Sequence, residues 1–303
     1  MLMRLGSLVA QVDGAGDLFP AGDARLSTFI ADVETGCSAD VVVRIDVCDK
    51  PTHEFASGLL VGWQALTHPD RIEITNSDWT GSFDLARRSV SASLHGPWRG
   101  ALDALLKTVV QVFALVCGKG LVLHASSVER GHAAYVFIGR SGAGKSTVAG
   151  LTRSAGEGEI LSDELTFVGF GPQRGRPFIA TLPFGQKHSV RVESRRTPVG
   201  GLFALRRSDQ ANVVPMTRAQ QVSAVVRASA IGVRDASLTT LALDAATRLV
   251  EGVPVKVLEF RRSPEFWRVI EADAIGRGQA GCASSARVGA GGPMALKEDE
   301  TCN

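Results

Sequence analysis

Nine residues, Gly139 to Thr147 in the order GRSGAGKST, carry the clearest chemistry in the chain. Gly139-x4-Gly144-Lys145-Ser146 fits the pattern G-x-x-x-x-G-K-[ST]. Glycines let such a loop curl closely enough for successive N–H groups to point at phosphate oxygens. Lys145 has the reach to set a point charge against β- and γ-phosphates, and the Ser146 hydroxyl can ligate magnesium. The pattern predicts that Gly139, Arg140, Ser141, Gly142, Ala143, Gly144, Lys145, Ser146 and Thr147 hold the phosphates of a nucleotide. Two further features flank the loop. Asp163-Glu164 ends a short strand-like run 18 residues beyond Lys145, where an acidic pair suits magnesium or the proton of an incoming hydroxyl. His124 lies 21 residues before Lys145, on an apolar run where a histidine by itself reads more readily as a satisfied core residue.

The flanking sequence must position these groups. The apolar run 135–138 enters the loop as a buried strand, and residues 148–151 leave it as a helix. A strand over 120–128 carries His124, turns at 129–131 and returns as the strand over 133–138. Residues 159–164 read as a strand ending in the acids, 166–170 and 177–180 as a hairpin, and 200–205, 213–216 and 255–260 as further strands. Helices are predicted over 98–117, 145–154, 217–226 with Thr217 as N-cap, 237–250 and 264–270. Arg191, Arg195 and Arg196 form a basic loop that could meet phosphate or, more ordinarily, solvent.

Residues 1–97 read as a small β-rich domain. Strands are predicted over 39–47, 71–75 and 89–94, with 76–78 and 80–82 as turns. Its histidines, His53, His68 and His95, are isolated. His95-Gly96-Pro97 marks a boundary, residues 98–275 form a second domain, and 276–303 are small, polar and aperiodic, which predicts disorder.

Composition narrows the classes. The chain has 303 residues, 45% hydrophobic and 21% charged, with a formal net charge of +2. That charge gives no case for nucleic acid or a membrane surface as partner. No apolar run is long enough to span a bilayer, and the N-terminus lacks a convincing secretory signal. Five scattered cysteines without a C-x-x-C pair support neither a zinc site nor a disulfide framework, so a cytoplasmic home is expected.

Together, His124-Ala-Ser-Ser-Val128, the loop Gly139–Thr147 and the pair Asp163-Glu164 resemble the catalytic domain of HPr kinase/phosphorylase, a fold related to phosphoenolpyruvate carboxykinase. The resemblance covers roughly residues 98–272 and looks closest to the smaller HPr kinase-like proteins that phosphorylate a serine of a precursor peptide. It implies an α/β P-loop kinase domain with a mixed, largely β core, behind the β-rich N-terminal domain. It also implies ATP and Mg²⁺ as cofactors, with Lys145 and Ser146 on phosphates and metal. Asp163 would be the base that takes the hydroxyl proton. Glu164, standing where the family has a second Asp, would help hold Mg²⁺, and His124 would lie near the transferred phosphate. The implied partner is a protein or peptide with an acceptor serine, and the family's habit adds a homo-oligomer. The loop linked to dephosphorylation in the bifunctional enzymes has no counterpart here, which points away from HPr as substrate.

The leading expectation is therefore an ATP-dependent serine kinase. A transporter-type ATPase shares the GRSGAGKST loop style, but no LSGGQ-like signature follows and the acids come too soon. A nucleotide-binding regulator or peptide chaperone without turnover, with residues 1–97 recognising the peptide, and a kinase of small-molecule hydroxyls are the remaining alternatives.

Overall fold

A computed structural model describes residues 1–14, 29, 38–48, 64–95, 98–171, 175–183, 196–231 and 235–274. Period-two alternation builds its first sheet from β1 (Leu2–Leu5), β2 (Leu8–Asp13), β3 (Val41–Cys48), β4 (Gln64–His68), β5 (Arg71–Thr75), β6 (Trp79–Asp84) and β7 (Ser89–His95). The order is β1-β2-β3-β7-β6-β5-β4, with β3 parallel to β2 and β7 and the other pairs antiparallel. One face buries Met3, Ile45, Ile74, Trp79, Phe83 and Leu94. On the other, Glu73, Ser82 and Ser91 stand side by side across β5, β6 and β7.

Two expectations change here. Residues 80–82, predicted as a turn, lie inside β6. Thr80 and Ser82 are polar because they occupy the sheet's outer face, while Trp79 and Phe83 point inward. The real turn is at Asn76, whose side-chain oxygen accepts from the N–H groups of Asp78 (2.8 Å) and Trp79 (3.0 Å). The sheet also begins earlier than predicted, at β1 and β2. His68 ends β4 in the open, whereas His95 is buried; His53 and the tail 276–303 lie outside the described residues.

Helix α1 (Trp98–Val116) follows. Leu102, Leu105, Val109, Val112 and Phe113 line one buried face, which Leu106, Val110 and Ala114 widen, leaving Asp103, Lys107 and Gln111 on a narrow half-buried strip. An apolar face that wide needs cover from more than one neighbour. Phe113 stacks on Phe83 of the first sheet with ring centroids 6.2 Å apart. The same core continues to Val122, Phe167, Ala180 and Leu182 of the second sheet. Gly118, at φ 60°, ends the run, and its N–H and that of Lys119 return to the carbonyls of Leu115 and Ala114.

The second sheet contains β8 (Gly120–Arg130), β9 (Ala133–Ile138), β10 (Glu159–Ser162), β11 (Leu165–Gly169), β12 (Phe178–Ala180), β13 (Arg196–Arg207), β14 (Asn212–Pro215) and β15 (Val255–Phe260). β9 pairs antiparallel with β8 and parallel with β13, which is in turn parallel to β15. Helices cover both faces. Val136 and Ile138 of β9 pack with α3 (Arg218–Ala228) and α4 (Ala236–Gly252). Phe137, between them, packs with α2 (Lys145–Ser154) and α5, described over residues 266–274. Burial on both faces is why this strand is a continuous apolar run. Thr217 caps α3 as predicted, in a reciprocal box with Gln220. The chain is thus a mixed α/β fold with two mixed sheets.

Trp267 of α5 ties that helix to the loop's helix. Its indole N–H donates to Thr152 Oγ1 of α2 at 3.1 Å, and its ring meets Tyr135 edge-on with centroids 5.0 Å apart. Trp267→Ala is expected to cost about 3–5 kcal/mol. Trp267→Phe, which keeps the ring contact and loses the hydrogen bond, should cost roughly 1 kcal/mol. Urea unfolding of the two variants checks the difference.

Candidate active site

The site forms because β8 has a strand on each side at the same height. Ala125 of β8 pairs with Ile138, the last residue of β9, and donates its N–H to the Glu164 carbonyl on the opposite side at 3.2 Å. Gly139 and the acidic pair therefore leave their strands at one level, on either side of the His124–Ala125 step. The β10–β8 register shifts between Ile160 and Ser162. Beyond that irregularity Ser162 faces Ser127 and Leu165 faces His124. Hydroxyls hold the widened segment: Ser162 Oγ donates to Leu165 O at 2.6 Å and Ser126 Oγ to Asp163 O at 3.4 Å. Such irregularities re-aim side chains at strand ends.

The glycine loop spans the gap between β9 and α2. Gly142 has φ 76° and Gly144 φ 109°, conformations that L side chains rarely adopt. At Gly144 space is short as well, because a Cβ would lie 2.6 Å from Phe260 Cζ. Gly144 is also the N-cap of α2, with no side-chain cap among the described residues. The first-turn N–H groups are thereby left to an anion, at the positive end of the helix dipole. Lys145 is buried, and its ammonium donates to the carbonyls of Gly139 (2.9 Å) and Arg140 (3.3 Å). It lies folded along its own loop.

A cleft of about 250 Å³ gathers these groups: His124, Lys145, Ser146, Asp163 and Glu164 all line it, with Ser141, Gly142, Gly144 and Thr147 of the loop. Asp163 is 4% exposed, whereas His124 is exposed, not a core histidine: it is the one open position between Gly120 and Glu129. Gly139, Arg140 and Ala143 belong to the same loop but are not among the residues lining the cleft. A hydroxyl and two carboxylates beside a phosphate-sized opening match the hard oxygen donors Mg²⁺ takes alongside phosphate. Among the described residues no group of three or more His, Cys, Asp or Glu is placed to hold a metal ion by itself.

Arg207 lines the cleft too, and the sequence reading missed it. Its Nη2 donates to Gly142 O at 2.8 Å, strapping the loop's tip. Its neighbour Arg206 turns the other way, to Glu259 across the parallel pair at 2.7 Å. The usable signal is the rule that ligands sit beyond the carboxyl ends of parallel strands, which applies only once β13 is known to run beside β9. Arg196, by contrast, starts β13 at the other end, its guanidinium 5.0 Å from the Phe178 ring. Arg191 and Arg195 lie outside the described residues.

Similarity to known proteins identifies a family. The profile described as SynChlorMet cassette protein ScmC matches residues 101–275, more than half of the chain. No curated protein matches. Among solved structures, the Hpr(Ser) kinase/phosphatase from Coxiella burnetii aligns at 10% identity over 53% of this chain and 98% of that one, with a TM-score of 0.26. A likeness that loose bears on neither fold nor chemistry.

Two glycines of the loop separate backbone strain from packing. Gly142→Ala meets nothing within 4 Å and should cost only the strained φ, about 1–2 kcal/mol. Gly144→Ala adds the collision with the buried Phe260 ring and should cost more, roughly 2–4 kcal/mol. Chemical denaturation of both variants is the measurement; equal losses would show that Phe260 yields freely.

Proposed function

The chain belongs to the ScmC family, and we propose that it is an ATP-dependent kinase that transfers a γ-phosphoryl group to a serine hydroxyl of a protein or peptide. The observation that carries this reading is the single cleft in which Lys145, Ser146, His124 and the Asp163-Glu164 pair meet. A phosphate loop alone would serve many nucleotide hydrolases. An acid beside the loop's Lys145 adds what transfer to a hydroxyl needs.

Phosphoryl transfer asks little covalent chemistry of a protein and much positioning and charge stabilisation. The loop amides and the N-terminus of α2 hold the phosphates, and Lys145 swings from its own carbonyls to the β- and γ-phosphate oxygens. Ser146 and Glu164 would hold Mg²⁺, which when bound would neutralise charge on the phosphates. Asp163 accepts the proton of the acceptor hydroxyl as its oxygen bonds to phosphorus. The bond from the γ-phosphorus to the bridging oxygen breaks, and ADP leaves with that electron pair. His124, open to solvent at the mouth, stands where it can contact the transferred group or the acceptor. Burial of Asp163 keeps bulk water from competing for its oxygen atoms. The N-terminal sheet, joined to this unit through α1, is the natural place for recognising a partner peptide.

Two variants test the roles. Lys145→Ala is expected to abolish ATP binding. Asp163→Asn should bind ATP within about threefold of wild type and lose transfer by 10²-fold or more, the scale of a missing general base. The assay is mass spectrometry of candidate peptides after incubation with ATP and Mg²⁺, alongside calorimetric titration of nucleotide. Transfer by Asp163→Asn at the wild-type rate would remove Asp163 as the base.

A further inference from the structure

The cleft at Asp163 is not the whole of the space around the loop. A second hollow, of about 350 Å³, opens beside it and shares Gly144, Thr147 and Arg207 with the first. Its remaining wall is Ser208 and Asp209 after β13, and Phe260, Arg261 and Arg262 at the end of β15. Both strands run parallel to β9, so their carboxyl ends arrive on the loop's side of the sheet.

The two hollows differ in charge. The first contains Asp163 and Glu164, which discourage more phosphate than the loop itself holds. The second is lined by three arginines, Arg207, Arg261 and Arg262, and by Asp209. A triphosphate seated in the loop has two ends. If its γ end faces Asp163, the α-phosphate and its substituent must leave past Thr147, where the second hollow begins. Its walls suit that substituent. Guanidinium planes stack on aromatic rings, a carboxylate accepts from sugar hydroxyls, and Phe260 closes the floor under Gly144.

We infer that this second hollow holds the nucleoside half of the phosphoryl donor, with the base against Arg261 and Arg262, a ribose hydroxyl on Asp209, and Arg207 bridging toward the α-phosphate. The inference rests on the kinase reading and assigns the donor's other end. Arg261 also donates to Glu265 one turn into the following segment, at 2.5 Å, so Arg262 and Asp209, both exposed, are the positions to vary.

The test compares ATP with inorganic tripolyphosphate, which carries the charge without the nucleoside, by calorimetric titration of the full chain with Mg²⁺. Arg262→Ala and Asp209→Ala should each weaken ATP roughly tenfold, one contact's worth, and leave tripolyphosphate within about twofold. A thermal melt confirms that each variant is folded. Equal weakening of both ligands would make the hollow a phosphate site and overturn the nucleoside assignment. Unchanged ATP binding in both variants would overturn it as well, with the kinase reading intact. Failure of the wild-type chain to bind either ligand would overturn both.

Discussion

Everything the site can do depends on three strands pointing the same way. β9, β13 and β15 are parallel neighbours, so Ile138, Arg207 and Phe260 end at one rim. Each contributes something different there. β9 delivers the glycine loop, β13 delivers Arg207 to the loop's tip, and β15 delivers the ring that backs Gly144. Were β13 antiparallel, Arg207 would lie at the far rim and Arg196 at this one. Parallel pairing itself demands crossover connections and cover on both faces. Helices α2 and α5 on one side and α3 and α4 on the other meet that demand.

The acidic side of the cleft follows from the antiparallel neighbour. β8 is long enough to carry β9 along one edge and β10 and β11 along the other. Where the β10–β8 register shifts, the chain releases Asp163 and Glu164 at the height of the loop. Burying Asp163 and Lys145 so near each other is costly for either charge alone and tolerable for opposite charges that face one opening. The carbonyls of Gly139 and Arg140 hold the ammonium in the meantime. Two groups with opposite tasks in the proposed reaction are thus kept a short side-chain movement from where they act.

The first sheet illustrates how a polar face misleads. Thr80, Gly81 and Ser82 have turn-type composition, yet they pair with β5 and β7 throughout. Side-chain chemistry reports the environment a residue faces, and the outer face of a sheet is as wet as a turn. The reverse case is α1, whose apolar residues already announced a buried helix. What they could not say is that one sheet would cover it on each side.

The glycine loop was legible because its information is local: a few neighbouring residues specify backbone angles, amide directions and a lysine within reach, whatever surrounds them. The helices at Trp98, Lys145 and Thr217 were legible for the same reason, through periodicity and capping. Asp163 and Glu164 could be nominated from their distance along the chain, and the register along β8 is what sets them beside the loop. His124 was balanced between core and cleft, since an apolar strand looks the same in both cases; its exposure follows from where the ladders on β8 end. Arg207 and the arginines after β15 carried no signal at all. Their place at the rim comes from the order and direction of strands far apart in sequence, and pairing of that kind is decided by which faces can be buried together, a property of the whole packed chain.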